Sequence, residues 1–241
     1  MKLHSNTDAG RAREENQDYV YTSENPVGNL SNLFIVADGM GGHNAGKYAS
    51  SSVVDTVVES IQHSHKKQIF ELFETAIQLA NTHLMKNADD EVSKQGMGTT
   101  LVAATIEEDK LYVANVGDSR LYVVNSNEIR QITKDHSLVE EMIRLGQLDR
   151  EKAKGHPDKN IITRAVGVTK ELKIDYFEVT LCENDSVLIC SDGLTNMVED
   201  NQIKLIMNGQ RDVVEKVERL IEEANNNGGK DNITVAVIEP Y

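Results

Sequence analysis

Apolar residues recur along this chain with two different periods, and the change of period marks out its elements. Short alternating or continuous apolar runs bounded by turn residues predict strands at "NLFIVADG", "TTLVAATIE", "KLYVANVGDSRLYVVNS", "EIRQIT", "IDYFEVTL", "DSVLICSDG" and "DNITVAVIEP". In the third of these, "GDS" divides two β-rich halves, the pattern of a hairpin. Three-and-four spacing predicts helices over roughly 45–63, 67–88 and 212–226, the last stopped by "NNGG". Strands do not alternate regularly with helices, so a parallel sheet of βαβ units is disfavoured. Antiparallel sheets covered by helices, a layered sandwich, suit the order better. No repeat, low-complexity tract or linker breaks the pattern, so one compact domain over 1–241 is expected.

Composition narrows the function classes. The longest apolar runs are about five residues, far from the ~20 a membrane span needs. The polar opening "MKLHSNTDAG" is not a signal peptide, so the expected location is the cytoplasm. A formal charge of −14 argues against nucleic acid, which demands a basic footprint. Two cysteines, Cys182 and Cys190, make no disulfide framework and are expected to be buried reduced thiols. Where a C-x5-R phosphatase loop would place arginine after Cys190 stands Asn196, which excludes a covalent cysteine phosphatase.

Charge also turns attention to where the acids fall. Asp38 follows "LFIVA", Asp118 follows "LYVANVG", Asp192 follows "VLICS", Asp231 precedes "NITVAVI", and Asp18 closes "RAREENQD". Each alone is as well explained as a turn residue, since Asp-Gly is a routine turn dipeptide. Several at strand ends are different, because strands of one sheet bring their ends together. Converging carboxylates repel unless a divalent cation sits among them. Oxygen-only ligation with no His/Cys cluster points to Mg²⁺ or Mn²⁺ over Zn²⁺.

Two decoys compete. "GGHNAGKY" has the phosphate-loop spacing from Gly41 to Lys47, but Tyr48 stands where a small hydroxyl must bind Mg²⁺. The chain also lacks the βαβ order of that fold. Lys47 then reads as a solvated residue at a helix start. "GDS" is followed by Arg120 where a serine protease wants glycine, so Ser119 is not a nucleophile.

In order along the chain stand "TDAGRAREENQD" (7–18), "VADGMGGH" (36–43), "GTT" (98–100), "VGDSRLY" (116–122), "DHS" (135–137), "ITRAVG" (162–167), "CSDGL" (190–194) and "DNIT" (231–234). Carrying these, the chain resembles the bacterial metal-dependent serine/threonine protein phosphatases of the PPM, or protein phosphatase 2C-like, family. Any one motif is weak; eight in the family's order are specific. The resemblance implies an α+β fold, a four-layer α-β-β-α sandwich of two antiparallel sheets flanked by helices. It implies a flap at about 137–161 beside the active site. It also implies hydrolysis of phosphoserine and phosphothreonine in proteins by water activated at two metal ions, Mn²⁺ or Mg²⁺, with a third, looser ion.

Carried over residue by residue, the resemblance has Asp38 bridging two ions and the Gly39 carbonyl binding the second. Asp192 and Asp231 complete the first ion's ligands, Asp18 lies on the second ion's side, and Asp118 with Asp192 holds the third. Arg13 clamps the substrate phosphate, for which a planar guanidinium suits better than lysine. Thr99 and Asn232 are candidate orienting residues. Two departures from eukaryotic members stand out: Met40 replaces the histidine assigned as general acid, and Gln17 replaces a glutamate. Water is the favoured acid, with His43 as the other candidate. Expected partners are phosphorylated proteins and an opposing serine/threonine kinase, and the chain is expected to be a monomer without nucleic-acid or membrane contacts. The alternatives are a metal-dependent hydrolase of small phosphoesters and a P-loop nucleotide-binding protein.

Overall fold

The structure is a computed structural model that describes the chain apart from residues 43, 92–93 and 154, and apart from the side chains of 89, 90 and 151. Eleven described strands form two antiparallel sheets. In chain order the strands of the first are β1 (Lys2–Asp8), β7 (Arg120–Val124), β8 (Ile129–Gln131), β10 (Ser186–Cys190) and β11 (Ile233–Glu239), arranged β1-β11-β10-β7-β8. The second holds β2 (Asp18–Ser23), β3 (Leu33–Met40), β5 (Leu101–Glu107), β6 (Lys110–Val116) and β9 (Asp175–Thr180), arranged β2-β3-β5-β6-β9, with β4 (Gly98–Thr99) paired to β3.

Period-two alternation decides the layers. Along β3, Phe34 and Val36 point between the sheets, against Leu121, Val123, Val187 and Ile189 of the other sheet. Leu33, Ile35 and Ala37 point the opposite way, onto the helices α1 (Ala45–Gln62) and α2 (Ile69–Asp90). Along β11 the alternation repeats: Ala236 and Ile238 face the sheet–sheet core. Ile233, Val235 and Val237 face α7 (Val213–Asn226), with α5 (Asp192–Thr195) and α6 (Asp200–Met207) on the same side. Three buried clusters thus stack as helix, sheet, sheet, helix. The four-layer sandwich expected above is what the chain forms.

Several local expectations are corrected. The "GDS" segment is not a hairpin: β6 pairs with β5 and β9, while β7 pairs with β10 and β8, in the other sheet. Both halves are buried on both faces, so local patterning left their partners open. The chain instead crosses between sheets at Gly117, whose φ of +105° suits glycine alone. The strands β1 and β2 were not among the predicted ones; their half-exposed, polar sequences carry little apolar signal. Helix α6 was likewise missed. Stretch 137–161 holds two short helices, α3 (Leu138–Arg144), capped by the Ser137 side chain accepting from the Glu140 amide, and α4 (Arg150–Ala153). Cys190 is buried, but Cys182 is exposed, because it sits in the turn after β9 that Asp185 closes. No helix of the described residues is long and apolar enough to cross a membrane.

Candidate active site

Two adjacent strands bring the first pair of acids together. In the antiparallel register of β2 and β3, Asp18 stands directly opposite Asp38. Asp192 opens α5 just past the end of β10, Asp231 lies just before β11, and Asp118 lies at the crossing from β6 to β7. The ends of both sheets therefore meet at one cavity of about 620 Å³. Its wall includes Arg13, Asp38, Gly39, Asp118, Asp192 and Asp231, and Asn160 at the end of the 137–161 stretch and Ile162 just after it complete it. Asp18 lies beneath, buried between the sheets.

Close backbone contacts hold these acids in place. A Cβ on Gly39 would come within 2.1 Å of the Gly46 carbonyl oxygen, so β3 and α1 meet there only because the residue is glycine. At Gly193 a Cβ would reach 1.9 Å from the Asn232 carbonyl oxygen, which seats α5 against the Asp231 loop. The Asp38 amide donates to Thr100 Oγ1 at 2.9 Å, and Thr99 Oγ1 donates to the Asp38 carbonyl at 2.9 Å. Asn232 ties three segments: its amide donates to Asp231 Oδ1, its Oδ1 accepts from the Gln17 amide, and its Nδ2 donates to the carbonyls of Ala9 and Glu15.

The electrostatics follow from burial. Desolvation pushes Asp118 up to about 8, with the Asp192 charge adding to it. It pushes Asp18 up to about 7, opposed by the hydroxyls of Thr234 and Ser191, which both donate to Asp18 Oδ2 at 2.7 Å. Asp192 rises to about 6 through desolvation and the Asp231 charge. Asp38 is held well above the usual carboxylate range by desolvation and four neighbouring acids. Arg13 donates to Asp231 Oδ2 at 2.8 Å, and its side chain remains 57% exposed.

The donor set suits a divalent cation. It is all oxygen and strongly acidic, and the second oxygen of Asp18, Oδ1, is buried with no hydrogen-bond partner. Among the described residues, no three His, Cys, Asp or Glu side chains form a closed cation cage. One of these acids is instead offset by the Arg13–Asp231 pair, a contact that uses an oxygen a cation would take.

Of the sequence-predicted residues, Arg13, Gly39, Asp38, Asp118, Asp192, Asp231 and Asn232 line the cavity, and Asp18 and Thr99 support it from below. His43 lies outside the described residues. Sequence reasoning passed over Thr100, Ser191, Thr234 and Asn196, whose Nδ2 donates to Asp192 Oδ2 at 2.8 Å. Three of these are small hydroxyl residues beside an acid or within its motif, a signal too common to single them out. Lys47 is exposed in the first turn of α1, as its solvated reading has it.

Comparison with known proteins accords with this geometry. The chain is 42% identical over 243 residues to the serine/threonine phosphatase Stp of Listeria welshimeri, covering 99% of this chain and 96% of that relative. It superposes on the crystal structure of serine/threonine phosphatase Stp1 from Staphylococcus aureus with a TM-score of 0.92 at 36% identity, covering 99% and 95% of the two chains. It also superposes on the catalytic domain of the serine threonine protein phosphatase PstP, solved with two manganese ions, with a TM-score of 0.85 at 31% identity, covering 98% and 96%. The protein phosphatase 2C family model matches residues 8–235. With its sandwich, its acid-lined cavity and a match over nearly its whole length, the chain belongs to the protein phosphatase 2C family.

Proposed function

We infer that this chain is a hydrolase that removes phosphate from phosphoserine and phosphothreonine in proteins, with the aspartates of the cavity holding Mn²⁺ or Mg²⁺. The observation that carries the metal assignment is the convergence of five aspartates, distant in sequence, around one cavity. Bound divalent cations would acidify a water and neutralise the phosphate dianion. Asp38, Gly39 through its carbonyl, Asp192 and Asp231 would hold two of them, with Asp18 beneath and Asp118 with Asp192 at a third.

The chain's own residues do the remaining work. Arg13 stands at the cavity wall with a largely exposed guanidinium, whose planar fork matches two phosphate oxygens. Thr99 and Thr100 grip the Asp38 backbone, so its carboxylate is aimed before substrate arrives. Met40 offers no proton, and the leaving alkoxide takes its proton from water. The stretch 137–161 forms a flap within a single catalytic domain and contacts the polypeptide around the phosphoresidue. The substrates are phosphoproteins set by an opposing serine/threonine kinase, and the chain works as a cytoplasmic monomer.

Phosphate release from a phosphothreonine peptide by metal-stripped protein, with and without Mn²⁺ and beside Asp38→Asn, tests the reading. The expected result is hydrolysis that requires Mn²⁺ and is lost in the variant. Hydrolysis independent of metal would overturn the site assignment, and hydrolysis confined to small aryl phosphates would replace the protein substrate.

A further inference from the structure

One buried residue outside the cavity is bonded to the turn that carries Asp118 and to the segment that follows the flap. His136 is 7% exposed and does not line the cavity. It makes two hydrogen bonds to a single residue: its amide donates to the Gly117 carbonyl at 2.9 Å, and its Nδ1 accepts from the Gly117 amide at 2.9 Å. The carbonyl of His136 accepts from the Thr163 amide at 2.7 Å, joining the residue before the flap to the segment after it.

These contacts determine the tautomer. A backbone N–H can only donate, so Nδ1 carries no proton, and the ring proton of neutral His136 sits on Nε2. Nε2 lies 3.2 Å from Asp175 Oδ2, an acceptor that suits that proton. Arg164 Nη1 is 3.0 Å from the same nitrogen, but it donates to Asp175 Oδ1 at 2.7 Å and to the Lys173 carbonyl. Asp175 thus orients the ring, and the ring orients the Gly117 peptide. That peptide needs holding, because Gly117 has the least restricted backbone of any residue and occupies a positive φ at the point where the chain leaves one sheet for the other. Asp118 is the next residue.

We propose that His136 is a positioning residue for Asp118: its Nε2-protonated ring clamps the Gly117 peptide and so sets where the Asp118 carboxylate enters the cavity. The proposal rests on the reading that Asp118 holds the looser cation. Its action is selective. Asp38, Asp18, Asp192 and Asp231 are held by other contacts, so loosening the clamp weakens the third ion and spares the first two.

Two isosteric variants separate the arms of the ring. In His136→Asn the amide oxygen reaches the place of Nδ1 and keeps the Gly117 bond. In His136→Gln the amide reaches the place of Nε2 and keeps only the Asp175 side. Metal-stripped wild type and both variants are titrated with Mn²⁺, free ion being followed by electron paramagnetic resonance. The hydrogen exchange of the Gly117 amide is measured by NMR on the same metal-stripped samples. The expected result is a weakest Mn²⁺ site about tenfold weaker in His136→Gln, the scale of lost outer-shell support, with the tighter ions unchanged. His136→Asn stays near wild type in both readouts, and Gly117 exchanges faster only in His136→Gln. Equal Mn²⁺ binding by the two variants, or a parallel loss at all sites, would overturn the proposal. A wild type that takes up no Mn²⁺ removes the cation reading of Asp118 itself. The clamp is then decided by Gly117 alone, with selective loss of protection in His136→Gln supporting it and equal exchange in all three proteins overturning it.

Discussion

The Asp38 backbone is bonded on both sides to the paired threonines, while Thr100 Oγ1 also reaches Ser119 Oγ at 2.8 Å beside Asp118. Thr100 is therefore a hydroxyl that touches both Asp38 and the crossing to the other sheet. In Thr100→Val the shape is kept, but a buried amide and a buried hydroxyl lose their partner. The expected cost is ~1–3 kcal/mol, read as a lower urea midpoint of the metal-stripped protein with the slope unchanged. A pH effect belongs to the same scale. Burial holds His136 below its ordinary 6.5, helped by Arg164 and opposed by Asp175 and Asp135. A lowered folded-state value means the unfolded chain takes up the proton first as pH falls. Neutral His136 therefore contributes fully above 6.5, and that contribution is lost as pH falls through the folded value. Urea unfolding at about pH 8 and about pH 5.5 should show wild type losing more stability than His136→Asn between the two. An equal loss would mean the ring is not held neutral. Candidate acids at this scale were legible from position, because each follows or precedes an apolar run. Their hydroxyl partners were not, since threonine and serine beside aspartate are ordinary turn chemistry.

At the scale of elements, helices and strands approach through glycines at the cavity rim. Gly193 lets the first turn of α5 rest on the Asn232 carbonyl, which places Asp192 near Asp231. Gly193→Ala sets a methyl 1.9 Å from a backbone oxygen that no side-chain rotation can relieve. Stability should fall by about 2–3 kcal/mol, and Mn²⁺-dependent turnover should fall with it, because the two acids are pushed apart. A variant as stable and active as wild type would show that α5 can shift without moving its acid. Sequence periodicity located α1, α2 and α7 to within about two residues, since each keeps one apolar face over several turns. It did not locate α6, eight residues long, or the edge strands β1 and β2. Short or half-exposed elements owe their form to what they pack on, and that information lies elsewhere in the chain.

Across the whole molecule, a sandwich stabilised by three apolar clusters carries a costly concentration of buried acid at one end. Cations that bind only the folded chain would relieve it. Melting of the metal-stripped protein should therefore rise on adding Mn²⁺, by the equivalent of ~2.7 kcal/mol at a hundredfold excess over the dissociation constant. The rise should shrink in Asp38→Asn. No shift with Mn²⁺ in the wild type would count against the cavity as a metal site. The flap reading proposed for 137–161 has its own test: exchanging the stretch with that of a relative should change peptide preference and leave hydrolysis of a small aryl phosphate intact. If both change together, the stretch supports the cavity and does not select substrates.

The amino-acid sequence alone determined the layers and the chemistry. Alternating apolar positions require two-faced strands, three-and-four spacing requires amphipathic helices, and aspartates at the ends of apolar runs require something positive if they meet. Tertiary structure decided which strands are neighbours. The two halves around "GDS" look like one hairpin because both are apolar on both faces, and local pattern carries no record of a partner. Only long-range pairing sends β6 to one sheet and β7 to the other. That crossing puts Asp118 at the junction of the two sheets, while the β2–β3 register sets Asp18 opposite Asp38 and packing against Ser191 and Thr234 of the other sheet leaves Asp18 Oδ1 buried without a partner. Asp18 is buried by hydrogen bonds from Ser191 and Thr234, 173 and 216 positions away, and no short stretch of sequence contains those contacts.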